Sequence, residues 1–77
     1  MAKRISIPAN IYGHGRLSPC TLSASVRGSS PYWHYSEFAI EDGDASLPDG
    51  EYIVSFEMIA VTFCKSGTDW EWVRRQA

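Results

Sequence analysis

Apolar and polar residues alternate along much of this chain, and a period of two predicts strands rather than helices. Ile5 and Ile7 alternate with Arg4 and Ser6 up to Pro8, which is expected to end that strand. From Ala9 to Ser18 two glycines flank His14, and the stretch reads as an irregular loop. Cys20 to Arg27 alternates throughout and is the plainest strand of the chain. A turn follows at Gly28-Ser29-Ser30-Pro31. Tyr32 to Ile40, rich in aromatic and β-forming residues, reads as a third strand. On a regular strand Trp33 and Tyr35 share one face, while Tyr32, Phe38 and Ile40 share the other. Residues 41–50, with Asp42-Gly43, Pro48 and Asp49-Gly50, form a long connecting loop. No stretch has a convincing helical period; residues 38–45 are expected to form a short turn at most.

The C-terminal third poses a parity problem. Tyr52, Val54 and Phe56 share one strand face, as do Ile59, Val61 and Phe63, but the two sets differ in parity. One straight strand would send them to opposite sides. A two-residue turn at Glu57-Met58 resolves this by pairing Phe56 with Ile59, Val54 with Val61 and Tyr52 with Phe63. A bulge does so as well, and neither Glu nor Met suits the positive φ of a tight hairpin turn, which favours a bulge or a distorted turn. Closing the next hairpin on Ser66-Gly67 sets Phe63 opposite Trp70 and Val61 opposite Trp72. All eight large residues then lie on one face of a three-stranded meander.

The expected fold is all-β, with five or six short antiparallel strands forming a small barrel or strongly curled sheet. A flat sheet this small would leave one apolar face bare. Residues 1–77 make a single domain, because a chain of 77 residues has no room for two. With 44% apolar and 21% charged residues the composition is that of a globular domain. No apolar run approaches the ~18–20 residues of a bilayer helix, so no membrane is expected as a partner. The N-terminal basic pair precedes no apolar core of signal length, which predicts a cytoplasmic protein.

Charge changes the picture more than composition does. Net charge is only −2, but residues 28–64 hold seven acids and no lysine or arginine. All seven basic residues lie outside that span. If the 41–51 loop projects, Glu41, Asp42, Asp44, Asp49 and Glu51 give one end of the molecule a negative patch. Such a patch is either a solvated loop or a contact surface for a protein with a basic surface. These carboxylates miss the spacing of a calcium loop. Trp33 and Tyr35 are read as core or rim residues, as aromatic anchors for a protein partner, or as platforms for bases. Cations do not interleave with these aromatics, and Glu37 and Glu41 would repel phosphate, so nucleic acid is the disfavoured partner.

Candidate chemistry is thin. Cys20 and Cys64 are too few for a disulfide framework, and as half-buried thiols they need no partner. Zinc would require both to converge with His14 and His34. No nucleophile motif or phosphate loop is present, and His34, among Tyr32, Trp33 and Tyr35, is expected to be a packed sheet residue. The expectation is a non-enzymatic protein with neither cofactor nor metal.

Leu47-Pro48-Asp49-Gly50-Glu51-Tyr52 leads into a strand, then a second strand, a glycine turn and a Trp-rich terminal strand. Over residues 37–73 this layout resembles the small accessory proteins of bacteriophages and other mobile elements, anti-CRISPR inhibitors among them. The resemblance implies an inhibitor that occupies the basic surface of a host nucleic-acid-handling complex. The residues themselves leave two other readings open, a small barrel that binds single-stranded nucleic acid and a structural subunit of an assembly.

Overall fold

The computed structural model describes residues 3–29 and 32–74, with the backbone alone at positions 29, 32 and 33. Six strands follow one another: β1 (Lys3–Gly13), β2 (Arg16–Ser29), β3 (Tyr32–Ile40), β4 (Gly50–Phe56), β5 (Ile59–Ser66) and β6 (Asp69–Val73). They form one antiparallel sheet in the order β3-β2-β1-β4-β5-β6. The sheet curls until its two edges face each other. There the Phe38 ring of β3 meets the Trp72 ring of β6 edge-on, with centroids 5.0 Å apart. The result is a nearly closed all-β barrel, as the alternation predicts.

Two strands are longer than expected. β1 continues through Pro8 to Gly13, and β2 begins at Arg16 and passes through Pro19. Among the described residues, each proline sits where its strand has a neighbour on one side only. β1 pairs with β4 only over Asn10–Tyr12, and β2 pairs with β3 only from Leu22 onward. A missing N–H is tolerated on such an edge. The supposed loop shrinks to a two-residue turn at His14-Gly15, with φ of 52° and 70°. Positive φ at both positions is the requirement of a hairpin turn that matches strand twist.

The parity problem is solved by a turn rather than by a bulge. Phe56 pairs with Ile59, Val54 with Val61 and Tyr52 with Phe63. Glu57 takes φ of 52° despite its side chain. A second parity switch was not expected. Within the β2–β3 ladder Glu37 and Phe38 together oppose Ala24, and Glu37 has φ of 51°. This bulge corrects the split expected for the third strand. Tyr35 lies opposite Val26, and Ile40 lies opposite Leu22, so Tyr35, Phe38 and Ile40 all face the interior despite their opposite parities.

The last hairpin turns at Gly67-Thr68, two residues out of the expected register. Phe63 faces Trp72, and Lys65 faces Trp70. A shift of two preserves the face, so both tryptophans still pack on the core. Lys65, on the same face of β5 as Phe63, also points inward, and its side chain is 4% exposed.

The core centres on Ile11, Leu22, Tyr52, Val54 and Phe63, each essentially without solvent contact. Burial of each such side chain contributes about 1.5–3 kcal/mol. Gly13 gives Tyr52 its place, since a Cβ there would stand 2.3 Å from the ring. Strain at Glu57 is the simplest feature to test. A left-handed residue with a side chain costs about 1–2 kcal/mol, partly offset by the chain entropy of glycine. Glu57→Gly should therefore raise the unfolding free energy by about 0.5–1 kcal/mol in urea titrations, and no change would remove strain from the account of this turn.

Candidate docking surfaces

The barrel has two ends. Gly13, Arg16, Gly50, Ser66 and Asp69 lie at one, together with the 41–49 segment that leaves β3. Lys3, the end of β2, the start of β3 and the Glu57-Met58 turn lie at the other.

The acidic segment is a clasp at the first end. Asp44 accepts bonds from the Ser46 hydroxyl at 2.6 Å, the Ser46 amide at 2.9 Å and the Ser18 hydroxyl at 3.3 Å. The Arg16 guanidinium stands 3.3 Å from the same carboxylate. The Ser46 bonds, side chain first, hold the Asp44 carboxyl below its ordinary range. Asp49 accepts the Gly67 amide at 2.9 Å and faces the buried Lys65 ammonium at 3.7 Å. Lys65 also donates to the Gly67 carbonyl. Tyr52 sends its hydroxyl to the Pro48 carbonyl, and its ring lies 5.3 Å from both His14 and Trp70. Burial pushes the Tyr52 phenol up.

Of the five acids singled out by sequence, Asp44 and Asp49 thus pair with cations of the same chain. Glu41 accepts a bond from the Ser6 hydroxyl at 2.7 Å. Asp42 is exposed in the loop, and Glu51 is exposed at the start of β4, opposite Cys64. The two aromatic candidates stand at the other end. Tyr35 is half-buried and packs edge-on against Phe56 at 5.6 Å. Trp33 pairs through its backbone with Gly28, and its side chain lies outside the described residues. The structure therefore does not gather acids and aromatics into one surface.

Both cysteines are free thiols. Cys20 is buried; burial first, and then the Asp42 charge, raises its pKa to about 11. Such a thiol is a poor nucleophile at neutral pH. Among the described residues, no group of three or more His, Cys, Asp or Glu could hold a metal ion. His34 is exposed on β3 opposite Arg27, not packed as its aromatic neighbours suggested. No helix among the described residues is long and apolar enough to cross a membrane.

A different surface stands out on the barrel exterior. Leu17, Tyr12, Ile53, Thr62 and Val73 occupy one cross-strand row running over β2, β1, β4, β5 and β6. Leu17 is 58% exposed, and Tyr12 and Ile53 are each 45% exposed. The next row, Pro19, Asn10, Ser55 and Ala60, carries no charge. On the opposite side the row is bordered by Glu51, Cys64 and Glu71. This surface is hidden in the sequence because the glycines around His14 make Tyr12 and Leu17 read as loop residues rather than as facing strand positions. The available signal was Tyr52-Ile53-Val54, where two inward residues force an apolar one outward.

No protein-family model matches this chain, and comparison with curated proteins and with solved structures finds no match.

Two outcomes follow from the ionisable groups. The folded Asp44 pKa lies below its unfolded value, so its stabilisation is complete above that value and is lost as pH falls through the folded one. Asp44→Asn should flatten the acid limb of stability against pH, and an unaltered limb would show that the clasp contributes nothing there. Alkylation of Cys20 in the folded protein should stay slow at neutral pH and accelerate as pH approaches 11. Mass spectrometry after iodoacetamide treatment at stepped pH checks this.

Proposed function

We propose that this chain is a non-catalytic protein-binding module that docks through the outer face of β2, β1 and β4. The observation that carries the reading is the in-register exposure of Leu17, Tyr12 and Ile53. The outward positions of a half-buried sheet are normally polar, and an exposed aromatic and aliphatic row beside an uncharged one is what a protein interface core requires.

The acids at its margin suit a partner with a basic rim. Glu51 and Glu71 flank the row, and Asp42 lies in the clasp at the same end. Charge of this kind accelerates encounter, while the desolvated row supplies the affinity. A nucleic-acid-handling complex, with its basic surface, is a partner of the right chemistry, and occupation of that surface by this chain would inhibit it. Nucleic acid itself fits the row less well, since no lysine or arginine lies within it or in the neighbouring uncharged row.

The test uses the full chain immobilised against a lysate of the cells in which it acts. Tyr12→Ser combined with Ile53→Ser changes only exposed positions and should leave stability within about 0.5 kcal/mol per site. Retention of the specific partner should fall at least roughly tenfold, the equivalent of about 1.4 kcal/mol. A partner held equally well by the double variant would remove this face from the reading. Asp42→Asn with Glu51→Gln should slow association at low salt and leave dissociation nearly unchanged.

A further inference from the structure

The end of the barrel away from the clasp carries a second feature. β1 pairs with β2 along its whole length, Lys3 to Gly13, but with β4 only at Asn10–Tyr12. The strands β1, β2 and β3 therefore run on past the end of β4 as a three-stranded wing. Among the described residues, no strand pairs with the other edge of Lys3–Ala9.

Among the described residues, the inner face of this wing encloses a hollow. Lys3 lies opposite Val26, and Val26 lies opposite Tyr35, so the three form one inward-facing row. The next inward pair is Ile5 and Ala24. Lys3, Ile5, Val26 and Tyr35 line a cavity of about 230 Å³. That is smaller than the roughly 300–1,000 Å³ of sites enclosing drug-sized ligands, and it suits one apolar side chain. Its walls offer two aliphatic side chains and an aromatic ring. Among the described lining residues the polar groups are one ammonium and one phenol, both able to donate, and none is a carboxylate.

Direction decides what could fill it. Every ladder in this sheet is antiparallel, and β1 runs from the wing toward the clasp. A strand added antiparallel to the open edge of β1 would end beside Lys3. Cross-strand neighbours stand about 5 Å apart, so its final inward side chain would sit beside Ile5 and over the cavity. We propose that the wing binds the free C-terminus of an extended polypeptide of another protein. The terminal residue is aliphatic, its side chain enters the cavity, and its carboxylate accepts a charge-assisted bond from the Lys3 ammonium. Backbone pairing along Lys3–Ile7 gives this contact its register, and the pocket and the cation give it selectivity. The site shares no residue with the outer row, so the two readings stand or fall separately.

The test uses the full chain, isotope-labelled, with an acetylated hexapeptide ending in Ser-Val-Ile and a free carboxylate. Binding should perturb the Ile5 and Val26 methyls, the Tyr35 ring and the amides along Lys3–Ile7. Amidating the peptide terminus leaves the protein untouched and should weaken binding by roughly tenfold or more. Lys3→Met, at an exposed position, should weaken the free acid to the level of the amide. Equal affinity of acid and amide would overturn the proposal, as would the absence of perturbation at Ile5, Val26 and Tyr35 at ~1 mM peptide. Binding of 3-methylbutanoate as tight as that of the hexapeptide would also overturn it, because the cavity would then be reading a small acid rather than a chain end.

Discussion

All six strands must deliver their apolar residues to one small interior, and side chains on a strand change sides at every residue. This parity constraint governs the molecule. It is met by two local departures from regular geometry, the bulge at Glu37 and the turn at Glu57, both with φ near 50°. Without the first, Tyr35 and Phe38 could not face the same core. Without the second, the Tyr52-Val54-Phe56 and Ile59-Val61-Phe63 sets could not. The strain at two glutamates is small beside the burial of the side chains they align.

The constraint also explains the charge distribution. Closing the sheet leaves one end to be covered by the 41–49 segment, and a segment without a ladder needs other partners for its backbone. The Asp44 carboxylate, accepting from the Ser46 amide, and the Tyr52 hydroxyl, donating to the Pro48 carbonyl, supply part of that need, while Asp49 ties the segment to the Gly67 amide of the neighbouring turn. Much of the acidity that looks like an interaction patch in the sequence is therefore structural, spent on Arg16, Lys65 and backbone amides. The exterior is left with a different character, an uncharged row across five strands with acids along one margin.

Sequence made the barrel and most of its interior legible, because alternation is a direct imprint of a closed sheet. Parity demanded a switch near Glu57-Met58 and gave the β4–β5 register as one of two solutions, but residue preference there pointed to the bulge rather than to the turn that forms. What escaped had physical causes. Pro8 and Pro19 looked like strand breaks because the one-sided pairing that tolerates them is a tertiary fact. Glu37 gave no sign of a bulge, since nothing in its identity favours positive φ. The turn of the last hairpin moved by one residue and its register by two, a shift invisible to face assignment, and the burial of Lys65, which shares the parity of Phe63, ran against its charge. The outer row was hidden for the same reason as β1: Tyr12 and Leu17 become surface neighbours only once the hairpin through His14-Gly15 is in place.

The seam between β3 and β6 differs in kind from every other junction in the wall. The other neighbours are stitched by backbone ladders, whereas here the Phe38 and Trp72 rings meet with no strand pairing between the two edges among the described residues. Aromatic contact is short-ranged and has no register to hold it. Thermal opening should therefore begin at this line, the sheet uncurling as a continuous ribbon while its five ladders stay intact. The barrel is, in mechanical terms, a rolled strip whose long edges meet side chain to side chain.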